Sequence, residues 1–459
     1  MPERRNGSVP ERPTGSGVPT WRISPVGPLR GDVQISGSKN AVTKLMVASL
    51  LTGEPSTITN APHLGDVDIT ASILRAVGAG VDLDDASGTV SVDASEITDC
   101  RIPESRLNRI PILLTGPLLH RIGEAFIPLR QAGDQIGNRP VDYHVAALRQ
   151  MGAEVEYTDE GLHAKALELR GAHIRLPFPS VGATESVLLT AARAEGRTIL
   201  ENAAIEPEIV ELALFLQRMG TRIELQPDRT FVVEGSRQLS GTRQRLGGDR
   251  IEAFSYLVAG LVTGGRVRIV GCAQDRLVTA ISTLQRMGAE FAIDDDGIAA
   301  GAGPAGLRPA AVRTDPHPGF MTDWQPGLVV LCTQAKGLSV VHETVFEDRL
   351  GYVEALRAMN AEVELFDQCL VGRPCRFEES GFLHGALVRG RSRLCGTEIE
   401  MPDIRAAFAH LIAAATADGP SILHGVHHLE RGYDHALEKF SSLGLEITPV
   451  GGTEGAVKP

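Results

Sequence analysis

The sequence predicts an α/β protein of two lobes, each with helices packed inside and sheets outside. Two observations carry this. One helix–cap–strand unit recurs six times along the 459 residues, and six similar units divide naturally into two groups of three. The composition, 42% hydrophobic and 22% charged, is that of a packed, water-soluble chain and not of a disordered one.

The copies read LRAVGAGVDLD from Leu74, LRQMGAEVEY from Leu148, LQRMGTRIEL from Leu216, LQRMGAEFAI from Leu284 and LRAMNAEVEL from Leu356, with a looser FSSLGLEITP from Phe440. Their cap residues are Gly78, Gly152, Gly220, Gly288, Asn360 and Gly444, at spacings of 74, 68, 68, 72 and 84 residues. In each copy apolar residues at helical spacing precede the cap. Gly or Asn then ends the helix, because both tolerate a left-handed backbone. Alternation of period two follows, as in Ala153 and Val155 against Glu154 and Glu156, and predicts a half-buried strand. A period near 70 is too long for the common short-repeat solenoids. Two lobes leave a cleft between them, a usual place for a ligand.

Charge and composition exclude several function classes. Lys and Arg total 45 against 57 Asp and Glu, a net charge of −12, so there is no general footprint for nucleic acid or an anionic membrane. The longest apolar tract, residues 256–262, is interrupted by Gly260 and ends before Gly264 and Gly265, too short for a membrane span. The first 20 residues have no apolar core and read as a disordered tail, not a secretory signal, and a cytoplasmic protein is the expectation. Of six cysteines only Cys369 and Cys375 lie close together in sequence. Two thiols with no ligands nearby are a weak metal signal and read as structural or incidental thiols, so no metal is expected.

Several helices are predicted to begin with a charged or small polar cluster: Lys39 and Asn40; Ser180, Val181 and Gly182; Thr322 and Asp323; Asp403 and Arg405; and Arg431. Ser, Thr and Asp there need no more than capping to explain them. Lys and Arg sit at the unfavourable end of the helix dipole. A shared anion would account for Lys39, Arg405 and Arg431 together, since it would join the side chains to the free backbone N–H groups.

At this point the residues resemble those of the enolpyruvyl transferases, and among them the UDP-N-acetylglucosamine 1-carboxyvinyltransferases. The resemblance rests on GDVQISGSKNA at 31–41, DQIGNRPVDYH at 134–144, FPSVGATE at 178–185, NAAIEPEIV at 202–210, DRIEA at 249–253, HPGFMTDWQ at 317–325, HETVFEDRLG at 342–351, PDIRA at 402–406 and ERGY at 430–433. Nine ordered matches span nearly the whole chain. They imply the enolpyruvyl transferase fold, a two-lobed inside-out α/β barrel of six βαβαββ units. The implied lobes are residues 21–38 with 247–459, a discontinuous lobe of three units, and 39–246, the other three.

The resemblance also implies a reaction. The enolpyruvyl group of phosphoenolpyruvate moves to the 3-hydroxyl of UDP-N-acetylglucosamine with release of phosphate, as in peptidoglycan synthesis, and no metal or organic cofactor takes part. By position, Lys39, Arg109, Arg139, Arg349, Arg405 and Arg431 match residues that hold phosphoenolpyruvate or its phosphate. Asn40, Arg139, Pro140, Val141, Asp142, Ser180, Val181, Gly182, Asp323, Val345 and Phe346 match residues around the uridine nucleotide. Asp323 matches the base for the attacking hydroxyl, Glu347 a nearby acid, and Lys39 and Asp134 complete the catalytic set. The inventory suits the chemistry: a phosphate and a carboxylate need several fixed cations, and arginine holds either with paired hydrogen bonds. A monomer is expected, with phosphoenolpyruvate and a uridine nucleotide as partners.

One position departs from the family. Asp134 stands where cysteine is common, the cysteine that fosfomycin alkylates, although some members also carry Asp there. A carboxyl can act as a general acid if a closed cleft raises its pKa. The adjacent loop carries Arg130 and Gln131 where the family has a shorter glycine-rich stretch. This leaves open transfer to the 3′-hydroxyl of UMP, as in the relatives of peptidyl-nucleoside antibiotic synthesis. An inactive uridine-nucleotide-binding homologue is the third reading, and the retained Lys39, Arg139, Asp323, Glu347 and Arg431 argue against it. The RPVD and SVGATE stretches set the chain apart from the shikimate-phosphate branch.

Overall fold

The computed structural model describes residues 20–25, 27–104, 108–128, 140–369, 372 and 374–450. The six cap residues organise it. Gly78, Gly152, Gly220, Gly288, Asn360 and Gly444 all have positive φ, between 72° and 115°. Each follows a helix and turns the chain into a strand, the six strands being Gly80–Asp84, Glu154–Thr158, Arg222–Leu225, Ala289–Ile293, Glu362–Phe366 and Glu446–Val450. The repeat visible in the sequence is thus a repeat of backbone geometry.

Residues 173–234 show one complete unit. Strand His173–Arg175, helix Val181–Ala191, strand Arg197–Glu201, helix Pro207–Met219 and strands Arg222–Leu225 and Phe231–Glu234 follow in βαβαββ order. The first strand pairs parallel to the second, and the remaining pairs are antiparallel. Among the described residues there are six sheets, five of four strands and one of three, and the four-stranded sheets share this arrangement. In the three-stranded sheet a single parallel bridge, Arg101 to Phe126, stands where the others have their short parallel strand.

Helices that are apolar on every side must be covered on every side. All residues of Arg250–Val262 and of Ile404–Ala415 are buried, and only the first two of Val181–Ala191 are not. These helices fill the lobe interiors, and the sheets form the outer walls. One hydrophobic core gathers residues from 21–35 and 251–445, and a second gathers residues from 41–246. Between them the chain crosses twice, side by side. Gly37 and Gly248 form an antiparallel bridge, with Ser38 N–H donating to the Gly247 carbonyl at 3.0 Å and Asp249 N–H to that of Ser36 at 2.9 Å. Neither glycine has room for a side chain: a Cβ would stand 1.9 Å from the Asn60 carbonyl oxygen at Gly37, and 2.3 Å from that of Gly271 at Gly248.

Asp249 ties the crossing to both interiors. Its Oδ1 caps helix Arg250–Val262 by accepting from the N–H groups of Ile251 and Glu252, at 2.7 and 3.1 Å. Its Oδ2 accepts from the Lys39 N–H at 3.0 Å, at the start of helix Lys39–Ala48 in the other lobe. One carboxylate therefore satisfies free donors of two helices. Deeper in, Arg250 and Glu208 join the lobes by two parallel hydrogen bonds of 3.0 Å, both side chains almost wholly buried. Among the described residues, no helix is long and apolar enough to cross a membrane.

Candidate active site

The cleft between the lobes holds a cavity of about 410 Å³. Helix starts from both lobes face it, which is why short polar clusters far apart in sequence meet there. From the lobe built on the second core come Lys39, Asn40, Arg109, Pro140, Asp142, Ser180, Val181 and Gly182. From the other come Asp323, Val345, Phe346, Glu347, Arg405 and Arg431. Asp134 and Arg139, with Arg130 and Gln131, lie outside the described residues.

Two expected site residues are placed differently. Val141 packs, partly buried, against the core of its lobe and is not among the lining residues. Arg349 does not line the cavity either. It lies behind Asp323, its side chain only 1% exposed, and donates to Asp323 Oδ1 at 2.9 Å. One expected helix start is also corrected. Arg431 sits in the last turn of helix His427–Gly432, not the first turn of a helix. The chain breaks at Tyr433 and passes through a left-handed His435 before helix Ala436–Ser442 begins. A cation is favoured at a helix C-terminus, so dipole mismatch explains nothing about Arg431.

Its partner does. Arg431 reaches across the cleft to Asp66, with Nη2 2.9 Å and Nε 3.2 Å from Oδ1, while Lys39 Nζ lies 3.0 Å from Oδ2. Burial works against the charge of Asp66, but Lys39 and Arg431 hold its carboxyl below the usual range. Sequence reasoning missed Asp66. In HLGDVD an acid in the first turn of helix Gly65–Ala76 looks like an ordinary complement to the dipole.

Asp323 occupies the 3-10 turn Thr322–Trp324 that leads into helix Gln325–Gln334. Burial opposes its ionisation, yet Arg405, Arg349, Lys39 and Arg250 together keep its carboxyl below the ordinary aspartate range. Arg405 Nε lies 3.8 Å from Oδ1. Glu343, also missed, braces this corner. It accepts from Thr322 Oγ1 at 2.9 Å and from the N–H groups of Val345 and Phe346 at 2.7 and 3.2 Å. One buried carboxylate thus fixes the Asp323 turn relative to the 345–346 segment.

At the far end, Ser180 caps helix Val181–Ala191, and a Cβ on Gly182 would meet the His144 ring at 3.2 Å. Burial, with Arg109 nearby, holds the His144 imidazole down to about 3, so the ring is neutral. Glu185 lies beneath, 3.8 Å from Lys44. Burial pushes its carboxyl up to about 7 in spite of that lysine. The cleft thus sets a row of cations around a half-buried, ionised Asp323, an arrangement that can hold an anion at two or more points beside a carboxylate.

A two-lobed inside-out α/β barrel closing on such a cleft defines the class, the enolpyruvyl transferases. Residues 23–440 match the family described as EPSP synthase (3-phosphoshikimate 1-carboxyvinyltransferase), and the chain belongs to it. It is 42% identical to the UDP-N-acetylglucosamine 1-carboxyvinyltransferase of Protochlamydia amoebophila, over 92% of each chain. It is 41% identical to that of Chlamydia pneumoniae, over 92% of this chain and 93% of the other. Among solved structures, the enolpyruvyl transferase NikO from Streptomyces tendae superposes with a TM-score of 0.83 at 25% identity, over 95% of this chain and 99% of that one. EPSP synthase from Acinetobacter baumannii gives 0.69 at 18% identity, over 94% and 100%, and bears on the fold alone.

Proposed function

We propose that this chain is a cytoplasmic enzyme that transfers the enolpyruvyl group of phosphoenolpyruvate to the 3-hydroxyl of UDP-N-acetylglucosamine, supplying peptidoglycan synthesis. The observation that carries the reading is the 42% identity, across 92% of both chains, to an enzyme named for that reaction. The cation-lined cleft supports it.

Lys39, Arg405 and Arg431 hold the phosphate and carboxylate of phosphoenolpyruvate, with Arg109 and Arg139 at the nucleotide side. Pro140 and Asp142, the 180–182 turn and Val345 with Phe346 seat the uridine nucleotide. Asp323 takes the proton of the attacking hydroxyl as its oxygen bonds to C2 of phosphoenolpyruvate, while an acid, Asp134 by its position, protonates C3. Loss of the C3 proton and of phosphate from the tetrahedral adduct then forms the enol ether. Asp323 is ionised but a weak base while Arg405 and Lys39 face it. Bound phosphoenolpyruvate neutralises those cations and raises its basicity, so base and substrate are matched only in the ternary complex. Arg349 supports Asp323 from behind and does not touch substrate.

The test supplies phosphoenolpyruvate with UDP-N-acetylglucosamine, UMP or shikimate 3-phosphate, and measures phosphate release and product mass. Misplacement of a reacting group by about 1 Å can cost roughly 10²-fold, so one acceptor should dominate in kcat/KM. Preferred turnover of UDP-N-acetylglucosamine supports the proposal. Preferred turnover of either other acceptor, or of none, overturns it.

A further inference from the structure

Behind the wall of the cleft lies a cluster that the transfer reaction does not use. His342 ends strand Gly337–His342, and His384 immediately precedes strand Gly385–Gly390. These strands are antiparallel neighbours, with His342 opposite Gly385, so the two imidazoles meet at one end of the sheet, ring centres 5.1 Å apart. Both residues are fully buried. Beyond strand Glu362–Phe366 the chain brings two free thiols, Cys369 and Cys375, to the same point. One ligand atom from each of the four residues lies within 4.8 Å of all the others.

We propose that His342, Cys369, Cys375 and His384 form a structural zinc site. The donor set is the first reason. Two thiolates and two imidazoles, all supplied by the protein, match the closed tetrahedral sites that zinc occupies structurally. Two thiolates also balance the charge of the dication, as burial requires. The geometry is the second reason. Zinc bonds of about 2.3 Å to sulfur and about 2.1 Å to nitrogen put tetrahedral S–N edges at roughly 3.6 Å. Cys369 Sγ and His384 Nε2 are already 3.6 Å apart. With all four ligand atoms within 4.8 Å of one another, the other edges need a contraction of at most about 1.4 Å to reach the same shell.

The surroundings are the third reason. His384 Nδ1 lies 2.7 Å from the Phe382 carbonyl oxygen, which can only accept. Nδ1 therefore carries the ring proton, and the Nε2 lone pair faces Cys369. This is the outer contact by which metal-bound histidines are usually oriented. Both sulfurs accept backbone hydrogen bonds: Cys375 N–H donates to Cys369 Sγ, and Phe377 N–H to Cys375 Sγ, each at 3.3 Å. Backbone N–H groups so placed would steady both sulfurs as metal-bound thiolates. A disulfide between the cysteines would leave the two converging imidazoles without a role.

The site has no coordination position left for substrate, and its role is to fix the cleft wall. Arg376, between Cys375 and the Phe377 N–H, lines the cleft and donates to the Val345 carbonyl. Its guanidinium also lies 4.4 Å from the centre of the Phe178 ring in the opposite lobe. His342 leads directly into Glu343, which braces Val345 and Phe346. One ion would thus clamp both strands of chain that present these residues.

The experiment measures metal on the full-length protein, purified under reducing conditions without added metal or chelator and, in parallel, after reconstitution with Zn²⁺. About one zinc per chain is expected. Co²⁺ in its place should give a thiolate-to-metal charge-transfer band and the strong visible absorption of a tetrahedral ion. Bound zinc should also protect Cys369 and Cys375, but not the exposed Cys395, from alkylation, as read by peptide mass. Cys375→Ser and His384→Asn should each lower zinc content at least tenfold, and Cys395→Ser should leave it unchanged. If these variants do not fold, the alkylation pattern and cobalt spectrum of the parent decide. Reduced, folded parent that takes up less than about one-tenth equivalent of zinc overturns the proposal, as does a cobalt spectrum without thiolate ligation or zinc retained in folded Cys375→Ser.

Discussion

Arg431 and Asp66 pair across the cleft, Nη2 to Oδ1 at 2.9 Å, and Asp66 also holds Lys39. A carboxylate of the protein thus stands against two of the cations assigned to the substrate anion. Replacing Asp66 with Asn leaves both cations facing one another in a partly buried site, at an expected cost of about 2–3 kcal/mol. Phosphoenolpyruvate should restore part of that stability by supplying the missing charge. The rise in Tm on adding it should therefore be larger in Asp66→Asn than in the parent, by differential scanning fluorimetry. Equal increments would mean that Lys39 and Arg431 do not meet the ligand.

Asp323→Asn keeps the shape of the turn and removes the proposed base. Turnover should fall by about 10²–10⁴-fold, while nucleotide affinity by calorimetry stays near the parental value. A turnover number within threefold of the parent removes Asp323 from that role.

Gly182→Ala places a methyl group 3.2 Å from the His144 ring, in the turn assigned to the diphosphate. The acceptor KM should rise about tenfold, a loss near 1.4 kcal/mol, with little change in the KM for phosphoenolpyruvate. Equal effects on both substrates would place the nucleotide elsewhere.

Fosfomycin should leave the protein unmodified, because a carboxylate is a poorer nucleophile toward an epoxide than a thiolate. Intact mass after incubation with the drug and UDP-N-acetylglucosamine should be unchanged for the parent and raised by one adduct for Asp134→Cys. An adduct on the parent's 129–139 segment contradicts this.

Glu185 titrates near 7 when folded, against an ordinary value of 4.5. The native state then holds a proton that the unfolded chain releases, so stability falls as pH rises from about 4.5 to 7, by at most about 3 kcal/mol. Glu185→Gln removes that slope. Its Tm relative to the parent should be higher at pH 8 than at pH 5. A difference independent of pH would show that Glu185 is ionised throughout.

Much of the site was legible because the chain carries its polar clusters at helix starts. Lys39, Asn40, the 180–182 turn, Asp323 and Arg405 all line the cleft at such positions. What stayed hidden was pairing. Asp66 reads as a dipole complement and Glu343 as one acid among several, and the resemblance sets Arg349 on the substrate anion, until packing puts each beside its partner. The thiols Cys369 and Cys375 looked isolated because His342, at the end of one strand, and His384, just before another, are brought to them by an antiparallel pairing that no local pattern announces.

The sequence by itself determined the six units, their left-handed caps and the helices that must be buried, since each depends on residues a few positions apart. Backbone sterics at Gly or Asn and the covering of an all-apolar helix need no knowledge of the rest of the chain. Only the tertiary structure decided which charges meet. Arg431 and Asp66 are 365 residues apart in the chain, and their contact exists because two lobes, joined at Gly37 and Gly248, face each other. Ion pairs and ligand shells act over a few ångströms, so they follow from that geometry and from no periodicity in the sequence.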